Sequence, residues 1–217
     1  MDSFRMSRLR EGRRKYYDVF SHFYDGFIRL HARRDEDDTR QFLVDTAQLE
    51  TKSAPSILDV CCGTGSVVLA FAEHCPDALM VGYDFSRGML RKAQEKNADT
   101  RAVFVEGDAA ELPFSDNSFD VVSCSHALYE LKGQAREKVL WEMKRVMHPD
   151  GVVLLMEHEV PSHPFVKFLF NVRLISMGSS DAREFVEGGL QRLRRIFSRV
   201  ALSHSRSGKS RLMICRD

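Results

Sequence analysis

The sequence predicts an α/β fold: a seven-stranded, mostly parallel sheet with helices on both faces, an antiparallel hairpin at the carboxyl end and a helical lid at the amino end. Three observations predict it. From Ser56 onward, short apolar runs alternate with helix-length amphipathic stretches, the order that a parallel sheet with crossover helices requires. The stretch ILDVCCGTGSVVLAFAEH, Ile57 to His74, sets an apolar strand, a glycine loop and an apolar helix in direct succession. Near the end, SRSGKS separates two further runs and is a turn signal that pairs them as a hairpin.

Between Glu11 and Leu49 the chain reads as helical and aromatic, with Tyr16, Tyr17, Phe20, Phe23, Tyr24 and Phe27 close to i, i+3, i+4, i+7 spacing, which makes an amphipathic arm. A polar stretch ending in SAPS leads into a first strand at Ser56 to Val60. Further strands are expected at Ala78 to Asp84, Ala102 to Glu106, Phe119 to Ser125 and Val152 to His158, each short and apolar as buried parallel strands are. Val200 to His204 and Ser210 to Cys215 form the hairpin. The chain thus reads as one domain: an arm over 1–52, a core over 53–158, a helical insertion over 159–197 and the hairpin over 198–217.

With 217 residues, 43% of them hydrophobic and 29% charged, the chain suits a single globular domain with a real core. A formal net charge of +1 gives no reason to expect nucleic acid as a partner. Arg5, Arg8, Arg10, Arg13, Arg14 and Lys15 form a local basic stretch. It reads first as a solvated helix face, with peripheral contact to an anionic membrane as the alternative. Neither a signal-length apolar core nor a bilayer-length run is present, so the expectation is a soluble, cytoplasmic protein. The five cysteines, Cys61, Cys62, Cys75, Cys124 and Cys215, read as reduced thiols. The eight histidines show no ligand spacing, so no metal is expected, and His148, in a turn before the fifth strand, reads as structural.

The glycine loop excludes one ligand class. A dinucleotide fingerprint needs three glycines as G-x-G-x-x-G, whereas the run here is Cys61-Cys62-Gly63-Thr64-Gly65-Ser66-Val67-Val68. Asp59 ends the first strand where a pyrophosphate would approach the helix terminus. At about 4 Å and an effective dielectric of about 20, each such like-charge pair costs roughly 4 kcal/mol. The ligand is therefore cationic or neutral there. Asp84 ends the second strand about 20 residues beyond the loop, the place of a ribose-binding carboxylate. Asp108, after the third strand, lies on the same edge and is placed to accept from an exocyclic amine. Three such carboxylates describe a nucleoside bearing positive charge, a description that S-adenosylmethionine fits.

These motifs resemble those of class I S-adenosylmethionine-dependent methyltransferases of the ubiquinone/menaquinone biosynthesis type, whose fold is Rossmann-like. ILDVCCGTGS resembles the first motif, VGYDFSRGML the second, and EGDAAELPFSDNSFDVVSCS the stretch ending in the fourth strand. EMKRVMHPDGVVLLMEHEVP resembles the helix, turn and fifth strand that come next, and YYDVFSHFYD the tyrosine-containing lid. The resemblance implies that Asp59 binds the methionine amino group, that Gly63 and Gly65 admit the cofactor to the backbone, and that Asp84 holds the ribose, with Phe85 beside it. It implies that Asp108 and Ala109 read the adenine, that Met89 covers it, that Ser125 faces the methionine part, and that Tyr17 and Tyr24 close over the site. Cys61 stands in the loop where the family often has glycine, so the loop is expected to be more crowded; a buried cysteine reads as a small hydrophobe rather than a nucleophile.

Methyl transfer from a sulfonium needs alignment and exclusion of water, with a base where the acceptor is a weak nucleophile. His126 and Tyr129 after the fourth strand, and Glu157, His158 and Glu159 at the fifth, are the candidates, with His126 and His158 each taken as a catalytic candidate. The expected function is direct methyl transfer to a small apolar, aromatic or lipid-linked acceptor. A phospholipid amine methyltransferase and a non-catalytic cofactor-sensing module are the alternatives. No oligomeric state follows from the sequence.

Overall fold

The computed structural model describes Arg14, residues 16–18, Ser21, and residues 39–49, 53–97, 101–131, 133–159, 189–208 and 210–217. Seven strands form one sheet: β1 (Ser56–Val60), β2 (Leu79–Asp84), β3 (Val103–Glu106), β4 (Phe119–Ser125), β5 (Met147–His158), β6 (Arg199–His204) and β7 (Ser210–Arg216). Their order is β3-β2-β1-β4-β5-β7-β6. The first five are parallel, and β7 lies antiparallel to both β5 and β6. The predicted α/β sheet is therefore present, and its last strand in sequence is not its edge.

The strands' side-chain alternation divides the core in two. Ile57, Val121, Leu154 and Leu212 face one cluster with Val68 and Phe71 of helix α1 (Ser66–His74), Leu90 of helix α2 (Arg87–Lys96) and Leu43 of the helical segment 39–46. Leu58, Val122, Val153 and Met213 face the other with Val139, Leu140 and Met143 of helix α3 (Gln134–Val146). Both faces are thus covered, which is why the parallel strands are apolar on both sides. Burying a side chain such as Phe71, fully enclosed here, contributes about 1.5–3 kcal/mol.

The strand boundaries depart from expectation by a residue at most places and by five at β5, which begins at Met147 rather than Val152. Phe119 pairs with Met147 and Val121 with Val152, so MHPDG is a bulge within the strand. Gly151 makes it fit, because a Cβ there would stand 2.8 Å from the Asp120 carbonyl oxygen. Asp120 in turn accepts from the Ser56 amide and hydroxyl at 2.8 and 2.9 Å, tying the start of β1 to β4. His148, half-buried, lies in this bulge at the end of the sheet away from the carboxylates. Among the described residues, no helix is long and apolar enough to cross a membrane. Tyr24 and residues 160–188 of the insertion lie outside the described residues.

Candidate active site: a cofactor loop beside buried polar groups

Parallel register brings the carboxyl ends of β1, β2, β3, β4 and β5 to one edge. The turn after β1 is made by three residues in the left-handed region: Cys61 at φ 58°, Gly63 at 53° and Gly65 at 76°. Gly65 is required twice, since its φ favours glycine and a Cβ would meet Ala93 Cβ and the Phe104 ring at 2.9 Å. At Gly63 a Cβ would meet nothing within 4 Å, so the loop backbone faces open space there. The Cys62 amide donates to the Tyr83 carbonyl at 3.1 Å and fastens the turn to β2. Cys61 adopts a conformation that costs a non-glycine residue about 1–2 kcal/mol, and its thiol packs against the core cluster that holds Cys124.

Two buried carboxylates flank this opening. Asp59 accepts from the Ser123 hydroxyl at 2.7 Å; burial pushes its pKa up to about 7, with the Ser123 bond opposing and the Asp84 charge adding. Asp84 accepts from the Gly63 amide at 2.9 Å and the Ser86 amide at 2.8 Å. Burial raises it to about 6 despite those bonds. Among the described residues neither carboxylate has a cationic partner, so an incoming positive charge would be strongly welcomed. Asp108 is different: it is exposed, and its carboxylate accepts from the Ala110 amide at 3.0 Å, which also shapes the turn that buries Ala109.

Farther along the edge, His126 follows β4 at φ 52°, held by its amide to the Met156 carbonyl at 2.8 Å. Its ring stacks on that of His158, with centroids 4.3 Å apart and planes at 28°, and Tyr129 stands 5.8 Å from His158. Burial, helped by His158, holds the His126 pKa well below its usual value, so this imidazole is neutral. Glu157 points to the other face, opposite Arg211 of β7. Burial pushes it up to about 8, against the Tyr129 backbone, Arg211 and Arg136. Among the described residues, the buried side-chain polar atoms without a hydrogen-bond partner are His126 Nδ1, both Glu157 carboxyl oxygens and Arg211 Nε. All lie where β4 and β5 end and β7 begins.

Residues 57–151 match the family model described as a methyltransferase domain. A demethylmenaquinone methyltransferase of Shouchella clausii is 33% identical over 161 residues, 72% of this chain and 68% of that protein. This chain belongs to the class I S-adenosylmethionine-dependent methyltransferases of the ubiquinone/menaquinone biosynthesis type. A Staphylococcus aureus protein of the same name is 41% identical over 115 residues, 52% of this chain and 47% of that protein, so the match spans about half of that relative. A solved structure of an S-adenosyl-L-methionine-dependent methyltransferase, described as putative, from Methanococcus maripaludis superposes with a TM-score of 0.65 at 14% identity, covering 94% of this chain and 93% of that one, a likeness of fold.

The cofactor of this methyltransferase is S-adenosylmethionine, and the edge fits it. Asp59 could take its ammonium group and Asp84 its ribose hydroxyls, since among the described residues neither carboxylate meets a cation, and the open space at Gly63 would let it approach the backbone. Of the residues expected at this site, the structure gathers Asp59, Cys61, Gly63, Gly65, Asp84, Phe85 and half-buried Ser125 around the carboxyl edge, with Asp108 and Ala109 after β3. Met89 is 3% exposed, in the first turn of α2. Tyr17 meets Phe85 edge-on at 5.7 Å and donates to Glu130. Sequence reasoning missed Arg136. Its side chain, 1% exposed, donates to the carbonyls of Leu128, Tyr129 and Leu131 and so holds the turn that carries Tyr129 and Glu130. An arginine among helix residues gives no sequence signal of such a role. A cavity of about 300 Å³ lined by Val44, Leu49, Pro55, His74 and Ala78 lies at the opposite edge, remote from these groups.

Proposed function

We propose that this methyltransferase acts on a reduced, quinone-type aromatic acceptor, and that His126 receives the proton of the acceptor hydroxyl. The observation that carries the reading is the buried, unpartnered Nδ1 of His126, held in its stack with His158 beside the cofactor edge. Leaving a buried donor or acceptor unsatisfied costs about 1–3 kcal/mol. Groups of this kind beside an aromatic stack suit a ring that bears oxygen substituents. The names of the demethylmenaquinone methyltransferase relatives point to the same class.

Bound S-adenosylmethionine supplies a sulfonium methyl open to direct in-line displacement. The protein's own residues do the rest. His126, neutral and desolvated, accepts from the acceptor hydroxyl, which raises the electron density of the ring carbon that is methylated; the proton which that carbon carried is lost afterwards, so the ring becomes aromatic again and its oxygen regains the proton held by His126. His158 fixes the His126 ring by stacking, and Tyr129 packs against His158. The left-handed backbone at His126 is the kind of local strain found at functional positions. The basic stretch from Arg5 to Lys15 supports an approach to an anionic bilayer, where such acceptors dissolve.

The test is transfer of labelled methyl from S-adenosylmethionine to short-chain demethylmenaquinol kept reduced, with phosphatidylethanolamine vesicles assayed in parallel. Label in the quinol supports the proposal; label in the lipid, or in neither, overturns it. His126→Ala is expected to retain S-adenosylhomocysteine binding and to lower kcat about 100-fold. Wild-type turnover in that variant removes His126 from the reaction.

A further inference from the structure

Among the described residues of the arm that precedes the core, Asp18 bonds the cofactor edge through its carboxylate. Asp18 Oδ1 accepts from the Ser86 hydroxyl at 2.7 Å and from the Gly88 amide at 2.8 Å. Ser86 is the N-cap of α2 and accepts from the Met89 amide at 3.2 Å. Asp18 therefore adds a formal negative charge at the amino end of a ten-residue helix, where orphan amides and the helix dipole both favour it. The Ser86 amide also donates to Asp84, and Asp84 accepts from Gly63. One hydrogen-bonded chain thus runs from the arm through the helix cap and the ribose-side carboxylate to the glycine loop.

The fit around Gly88 is close. A Cβ there would lie 2.8 Å from both the Cα and the carbonyl oxygen of Asp18, and 2.9 Å from the hydroxyl of Ser21, which is 1% exposed. Only a residue without a side chain lets the arm backbone rest on the helix. The φ of Gly88 is not in the left-handed region, so the requirement is for space alone. Before Asp18 the arm makes two more contacts: Arg14 pairs with Glu106 at the end of β3, and Tyr17 bonds Glu130 beyond β4. Arg14 and Glu106 are substantially exposed, and such pairs contribute little. Two short bonds to one carboxylate at a helix terminus are the stronger attachment.

We propose that Asp18 is the latch that keeps the arm closed over bound cofactor, and that Gly88 is its seat. Both are positioning residues, acting through Ser86 and Asp84 rather than on the methyl group. Because the latch ends on the carboxylate that faces the ribose, occupation of that carboxylate and closure of the arm favour each other. The latch depends on the cofactor and is independent of which acceptor is methylated.

The experiment measures S-adenosylhomocysteine dissociation from the full chain by stopped flow. Asp18→Ala and Gly88→Ala are each expected to speed dissociation about tenfold with little change in association, although the second leaves Asp18 in place. Asp18→Asn, which keeps an acceptor oxygen and loses the charge, is expected to fall between. In turnover with whichever acceptor is used, KM for S-adenosylmethionine rises while kcat at saturation is kept. A residue that only stabilises the fold would lower the melting temperature without moving the dissociation rate, and that outcome overturns the proposal. Wild-type protein supplies a check that needs no variant: saturating S-adenosylhomocysteine should slow tryptic cutting at Arg14 several-fold, and an unchanged rate overturns it as well.

Discussion

The cofactor edge and the neighbouring ends of β4, β5 and β7 solve the burial of charge in different ways. At the cofactor edge, Asp59 and Asp84 are buried but tied: one to Ser123, the other to two backbone amides. Around His126, Glu157 and Arg211, buried polar atoms have no hydrogen-bond partner. The first region is preorganised for a ligand of fixed charge, and its hydrogen bonds hold the carboxylates in place beforehand. The second keeps its hydrogen-bonding capacity open, at a cost to folding, and so invites a polar ligand. The difference teaches that buried polar groups on one sheet edge are held in two ways, one by preformed hydrogen bonds and the other with hydrogen-bonding capacity left open.

The largest effect expected is at the glycine loop. Gly65→Ala combines left-handed strain with a clash against Ala93 and Phe104, and should lower unfolding free energy by roughly 2–4 kcal/mol in urea titration. Gly63→Ala has no clash and should cost only about 1–2 kcal/mol. Its effect should instead appear as weakened S-adenosylhomocysteine binding, because the added methyl enters the open space. Equal losses of stability in the two variants would remove the distinction between support and docking positions in this loop.

A pH series sharpens the comparison next. With Asp59 raised to about 7, Asp84 to about 6 and Glu157 to about 8, the folded state holds protons that the unfolded chain releases. All three groups are protonated in both states well below pH 4 and ionised in both well above pH 8, so the ligand-free protein should lose stability as pH rises through that window. The ammonium of S-adenosylhomocysteine favours ionised Asp59. The stabilisation by this ligand should therefore grow from pH 5 to pH 8, by about 1.4 kcal/mol for each unit of pKa shift reversed. Melting curves with and without ligand read this directly, and a constant gap would mean that Asp59 does not meet the amino group.

Two smaller effects separate the regions further. Glu157→Gln should remove the slope that this carboxyl contributes between about pH 4.5 and pH 8, where it is protonated in the folded state and ionised in the unfolded one, so the variant's stability relative to wild type should rise through that window and level off above it. Cys61→Gly should relieve left-handed strain and stabilise the fold by up to about 1 kcal/mol, partly offset by the freer unfolded chain. Chemical denaturation at two pH values checks the first, and a single melting curve checks the second.

The strands were legible in the sequence because each is a short apolar run between turn signals. β5 was legible only from Val152, since the polar MHPDG reads as a turn and is held in the strand by the Gly151 bulge and the pairing of Met147 with Phe119. Asp59, Gly63, Gly65 and Asp84 stood out through their spacing relative to strand ends, which local order dictates. Asp18, Arg136 and Arg211 did not. Asp18 meets Ser86 and Gly88 across about seventy residues, and Arg211 faces Glu157 only because β7 pairs with β5. Nothing in the residues beside them in sequence announces such contacts.

By itself, then, the sequence determined the alternation of strand and helix, the glycine loop between the first strand and its helix, and a row of carboxylates at strand ends, because all of these follow from local pattern. Tertiary structure decided that β7, buried along most of its length, lies inside β6, whose residues are largely exposed. An inner strand must be apolar on both faces, whereas an edge strand tolerates water. It also decided which polar groups lose their water without gaining a partner, since that depends on distant elements closing over the same edge.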